Sequence, residues 1–182
     1  YIETIIKSKM SKKRYRHTVS MAKLAKKFAK KNDLDETKAY VAGMLHDIAK
    51  EMEYDKALQI MQDHYPAYID KPVPVWHQWL SEYVAKTEYL VDDKEILQAI
   101  RHHTTASLNM SKLDMCIYTA DKYDPSRDYD SSKEIALCKK DIVAGFKACL
   151  QDFYDFSSKK GREIDKSFFE IYNKYVKGDI NE

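Results

Sequence analysis

Apolar positions recur along this chain at intervals of three and four residues almost from end to end. No stretch shows the alternation of a half-buried strand. An all-α fold follows. A first long helix is predicted from about 15 to 31, with His17, Met21, Leu24 and Phe28 on its buried stripe. A second begins near Asp35, a good N-cap with Glu36 in the first turn, and turns Ala39, Ala42, Gly43 and His46 inward. Those small residues let a neighbouring helix come close. His46 and Asp47 stand side by side near its end. Successive helical residues point roughly 100° apart, so both can reach one ion at the rim of the core.

The pattern continues through a short helix at about 55–62 and an irregular piece ending in Lys71-Pro72-Val73-Pro74. Trp76 to Thr87 follows, with His77, Leu80, Ser81 and Val84 on one face. Asp92 is expected to cap a helix reaching His103, whose stripe of Ile96, Ala99, Ile100 and His103 turns His103 inward and His102 about 100° away. Ser111 with Asp114 makes a capping-box start. The helix after it shows Leu113, Ile117, Ala120, Asp121 and Asp124 on one face and stops at Pro125. Two more helices are predicted, from 132 to about 153 and ending at Gly178. They contain no histidine, read as core completion with a possible partner surface, and leave the chemistry to the first ~125 residues.

Composition narrows this picture. With 44% hydrophobic and 33% charged residues and only 4 glycines and 4 prolines, the 182 residues suit one globular domain of long helices. A formal charge of +2 argues for neither nucleic acid nor a membrane surface as partner. Cys116, Cys138 and Cys149 have no paired spacing and read as buried thiols. There is no apolar run of the ~18 residues that a membrane span needs and no signal peptide, so the cytoplasm is the expected location. The chain starts at Tyr1 rather than a methionine, which points to a missing N-terminal piece.

A histidine on an apolar helical face is most often a hydrogen-bonded core residue, and an inward aspartate a cap or an ion-pair partner. Here the number matters. His17, His46, Asp47, His77, His103 and Asp121 all fall on inward stripes of five successive major helices. Burying such a set around an empty centre is costly, and a divalent metal or two removes the cost. Nitrogen and oxygen ligands without thiolate suit iron, manganese or zinc. Six ligands exceed one tetrahedral zinc, so two metals with Asp47 bridging use them better.

The order His17, His46-Asp47, His77, His103, Asp121 resembles the HD-domain metal-dependent phosphohydrolases. Within them, Arg14-Tyr15-Arg16-His17-Thr18, Leu45 to Lys50, Ile100 to Thr105, Asn109-Met110-Ser111, Tyr118 to Asp121 and Asp124 to Asp128 resemble motifs of the YqeK family. That resemblance implies a single HD domain over 1–182, its metal-site core at about 14–127 and helices at about 132–178 completing the core. It implies symmetrical hydrolysis of diadenosine tetraphosphate to two ADP by metal-activated water. His17, His46, Asp47 and Asp121 would hold one metal, His77 and His103 the second with Asp47 shared, iron first and manganese next. Asp47, Lys50 and Arg127 take catalytic roles, and Lys50, Arg101, Thr104, Arg127 and Arg14 lie near the phosphates. Ala106, Ser126 and Gln78 stand where the family has glycine, and Asp124 where it has glutamate. These departures bear on loop shape and substrate fit rather than on the ligands. Another HD phosphohydrolase activity (nucleotidase or cyclic-nucleotide phosphodiesterase) and a non-catalytic nucleotide-binding module are the alternatives. The 14 tyrosines and apolar final helices permit a homodimer.

Overall fold

The computed structural model describes residues 2–178; the first residue and last four of the expected domain lie outside the described residues. Within them are ten α-helices and no strand. In order they are α1 (Ile2–Lys7), α2 (Lys12–Lys31), α3 (Glu36–Leu45), α4 (Tyr54–His64), α5 (His77–Thr87), α6 (Lys94–His102), α7 (Lys112–Lys122), α8 (Ser132–Lys140), α9 (Ile142–Lys159) and α10 (Lys166–Tyr172). Short 3-10 turns at Pro66–Tyr68 and Val73–Val75 link α4 to α5, and a π-helical turn over Asn173–Lys177 follows α10.

The most extensive pairing is α2 against α3. It exists because Gly43 faces Ala22: a Cβ on Gly43 would lie 2.7 Å from Ala22 Cα. One apolar core runs from Ile6 through Phe28, Met44, Ile100 and Ile117 to Phe146, Leu150 and Ile171. The C-terminal helices therefore close over the same core as the helices that carry the histidines. A smaller cluster around Trp76, Trp79 and Met61 seats α4 on α5.

Several boundaries differ from the spacing-based expectation. Helix α2 starts at Lys12 because the Ser11 side chain accepts from the Arg14 amide. Asp93, not Asp92, caps α6, accepting from the amides of Glu95 and Ile96. The run from 132 to 153 is two helices. Asp141 leaves the helical conformation and its carboxylate caps Val143 and Ala144, while the apolar stripe continues across the break and hides it. The Ser111–Asp114 capping box and the Gly178 stop, with φ of 72°, are both present.

A candidate metal centre at converging helix ends

Helix α3 ends at Leu45, two residues earlier than a helical His46-Asp47 pair requires. The reason lies in the histidine. Its Nδ1 donates to the Gly43 carbonyl at 2.7 Å, the acceptor that a continuing helix would offer to the Asp47 amide. The main chain tightens into turns closed by Ile48 N to Leu45 O and Lys50 N to Asp47 O. His46 and Asp47 are thus presented from the end of α3, and both are buried, at 0% and 4% exposure.

His103 repeats this arrangement after α6, with Nδ1 donating to Ile100 O at 2.7 Å. His77, first residue of α5, donates to Pro74 O at 2.9 Å. His17, from the middle of α2, donates Nδ1 to Asp124 Oδ2 at 2.7 Å. In all four, an oxygen fixes the ring through Nδ1 and leaves Nε2 as the atom for the centre, the orientation that metal-ligating histidines adopt.

The Nε2 atoms gather around Asp47, one carboxylate oxygen to each side. Oδ1 lies 3.4 Å from His77 Nε2 and 3.5 Å from His103 Nε2. Oδ2 lies 3.4 Å from His46 Nε2 and 4.0 Å from His17 Nε2. Asp121 Oδ1 completes the second side, 3.1 Å from His17 and 3.8 Å from His46. All six residues singled out in the sequence meet here. His17, His46 and Asp47 form one group able to hold a metal, and Asp47, His77 and His103 another. The set fits a cation on direct evidence: His46 Nε2 is fully enclosed and has no hydrogen-bond partner among the described residues.

Burial opposes ionisation of Asp47, yet His46 and His103 hold its carboxyl well below the usual range. Burial likewise opposes Asp121, and Lys122 followed by His17 outweighs it. Burial, helped by His103, pulls His77 down to about 2, so this ring is neutral. His17 behaves differently. Burial lowers it, but its bonds to Asp121 and Asp124 raise it to about 9.

Cations ring the centre. Arg14 Nη1 donates to Asp47 Oδ2 at 2.6 Å, which places it on the shared carboxylate. Arg127 donates Nε to the Asp121 carbonyl at 2.9 Å and Nη2 to its Oδ1 at 3.0 Å. Lys50 Nζ is 3.3 Å from His77 Nε2, and Thr104 Oγ1 is 2.9 Å from that nitrogen. Arg101 is engaged elsewhere, gripping buried Glu82 with two nitrogens. His102 bonds Asp114 at 2.9 Å, on the other side of the α6 end.

Two participants escaped the sequence reading. Asp124 is the carboxylate behind His17; its place three residues beyond Asp121 was visible, its partner 107 residues away was not. Lys122 bonds Asp121 Oδ2 at 3.1 Å and the His103 carbonyl at 2.6 Å. Its only signal was adjacency to Asp121.

A helical fold with two carboxylate–histidine groups sharing one aspartate, ringed by arginine and lysine, defines a metal-dependent phosphohydrolase type of centre. The family model for the HD domain matches residues 14–126, and the chain belongs to the HD domain family, which implies divalent-metal binding. It is 30% identical over 176 residues to the symmetrical bis(5'-nucleosyl)-tetraphosphatase of Bacillus subtilis, covering 95% of each chain. It is 36% identical over 132 residues to a probable nicotinate-nucleotide adenylyltransferase/Ap4A hydrolase of Mycoplasma genitalium. That match takes in 70% of this chain but spans only 36% of the relative. The crystal structure of a predicted HD superfamily hydrolase involved in NAD metabolism from Clostridium acetobutylicum superposes with a TM-score of 0.86 at 25% identity, covering 98% of this chain and 96% of that one. No described helix is long and apolar enough to cross a membrane.

Proposed function

We propose that this protein hydrolyses diadenosine tetraphosphate symmetrically to two ADP, acting as one HD domain with a two-metal centre. The observation that carries the reading is Asp47, which offers one carboxylate oxygen to each of two ligand groups. The full-length similarity to the symmetrical tetraphosphatase of Bacillus subtilis supports the choice of substrate.

In this reading His17, His46, Asp121 and Asp47 would hold one metal, and His77, His103 and the shared Asp47 the other. Iron is the first choice for this thiolate-free set and manganese the second. Bound metal supplies Lewis-acid polarisation of a phosphoryl oxygen and brings the acidity of water toward neutrality. The protein's own residues do the rest. The four Nδ1 anchors hold the rings in place without further ordering. Arg14 orients Asp47. Lys50 and Arg127, each beside a proposed ligand, take up charge on the inner phosphates, and the Arg127 fork can engage two oxygens at once. Thr104 offers its hydroxyl to a phosphate oxygen. Arg101, braced by Glu82, stands further out along the bound chain. Water oxygen joins one inner phosphorus and its proton passes to solvent, the central bridging P–O bond breaks, and the two halves leave as two ADP.

The test is metal analysis of the purified protein followed by product analysis. Two ADP per diadenosine tetraphosphate, dependent on metal, is the expected result. AMP with ATP, or no turnover by metal-loaded protein, overturns it.

A further inference from the structure

The centre accounts for the phosphates and leaves the nucleosides of a dinucleotide without a place. Beside it lies a cavity of about 530 Å³, within the range of about 300–1,000 Å³ usual for small-molecule sites. Thr104 and Lys122 line it and also touch the centre, Thr104 through His77 and Lys122 through Asp121. Tyr68 and Trp79 make an aromatic side, their rings stacked 4.5 Å apart at 17°. Trp79 is buried beneath, whereas Tyr68 is 38% exposed and keeps surface to offer. The segment from Glu163 to Ile171, which leads into α10 and runs along it, supplies another wall bearing Glu163, Asp165 and Glu170. Lys71, also on the lining, is paired with Asp165 at 3.6 Å.

The chemistry of this lining selects its occupant. The lining carries both signs: Arg101 and Lys122 lie toward the centre, and Glu163 and Glu170 on the far wall can accept hydrogen bonds from an amine. A flat aromatic face favours a planar ring. A bare phosphate would use none of the aromatic surface, whereas a planar base would use it. We propose that this cavity is a nucleoside subsite for one adenosine of the substrate. The nucleoside enters it past Thr104 and Lys122 while the phosphates stay at the centre, the base lies on Tyr68, and its exocyclic amine points to the acidic wall. The proposal rests on the hydrolase reading for its ligand, and it gives the C-terminal helices a binding role that their lack of histidine concealed.

The experiment compares ADP with pyrophosphate, which lacks the nucleoside, by calorimetric titration of the metal-loaded protein. Two variants alter different walls: Tyr68→Ala removes the stacking face, and Ser167→Trp fills the space from α10. Circular dichroism and metal content check that each retains its fold and centre. Wild type is expected to bind ADP more tightly than pyrophosphate. Each variant should lose about 10- to 100-fold in ADP affinity, the scale of one base–aromatic stack, with pyrophosphate unchanged. Equal binding of ADP and pyrophosphate by wild type, or full ADP preference in the correctly folded variants, overturns the subsite. Product binding is read without turnover. A protein that binds ADP in this way but fails to cleave diadenosine tetraphosphate refutes the activity and keeps the subsite.

Discussion

The contact between α2 and α3 sets both the stability of this fold and the span of its centre, and Gly43→Ala tests the two together. An added Cβ would lie 2.7 Å from Ala22 Cα, 3.0 Å from Ala22 Cβ and 3.3 Å from Met21 Sδ. Comfortable carbon contacts lie at about 3.5–4.0 Å, so the shortfall at Ala22 Cα is about 1 Å. That atom is main chain and cannot swing aside; the helices must part. Overpacking of this kind costs about 1–3 kcal/mol. Alanine returns about 0.5–1 kcal/mol through its better helix propensity, leaving a net loss of about 1–2 kcal/mol. For a chain of this size that lowers Tm by roughly 2–8 °C. The displacement also carries His17 on α2 away from Asp47 at the end of α3. A misplacement of about 1 Å can cost ~100-fold in rate, so kcat/KM for diadenosine tetraphosphate should fall by one to two decades. The assay pairs thermal melting of the metal-free protein with kinetics of the metal-loaded one. Gly145→Ala is the control: its Cβ would lie 2.9 Å from Cys138 Cα, between α8 and α9, and it should lower Tm while sparing kcat/KM. A Gly43→Ala protein that melts with wild type and keeps full activity would refute the packing argument.

Asp47→Ala should fold, lose metal from both sides and release no ADP; normal turnover by such a variant sinks the shared-carboxylate reading. Asp124→Asn keeps the shape behind His17 but weakens its anchor, and metal affinity measured by chelator competition should drop about 10- to 100-fold. A metal-free His17 held up to about 9 by two carboxylates must shed a proton before Nε2 can coordinate. Metal affinity should therefore rise with pH below that value, about tenfold per unit for one displaced proton; a flat profile between ~pH 6 and ~pH 8 contradicts it. Chelation should abolish activity while leaving the far-ultraviolet dichroism nearly unchanged, since every histidine ring keeps its Nδ1 partner.

The sequence carried the metal centre further than the boundaries around it. Helical spacing alone brought six candidate ligands inward and separated His103 from His102, because burial and periodicity act on the same stripe. It also marked Gly43 as a place of close approach. Spacing could not show that Asp141 ends one helix and starts another, since Cys138, Ile142 and Phe146 continue the stripe across the break. Nor could it show Asp124 behind His17 or Arg14 on Asp47, contacts that span 107 and 33 residues. The wall built by α10 was hidden for another reason. It is a matter of cavity shape and carboxylate placement, which leave no periodic trace.

His46 and His103 have a second occupation whose effect reaches beyond their rings. Each is the C-cap of its helix, and Asp121 lies in the last turn of a third. Three helices thus aim their carboxyl ends at one small volume, and the aligned peptide dipoles place about half a negative charge at each end. This field comes from the backbone and survives any change of side chain. It favours an ion of high positive charge before a ligand atom is counted, and it opposes an anion arriving alone. Together with the Asp47 and Asp121 carboxylates it makes metal loading the step that should precede phosphate binding.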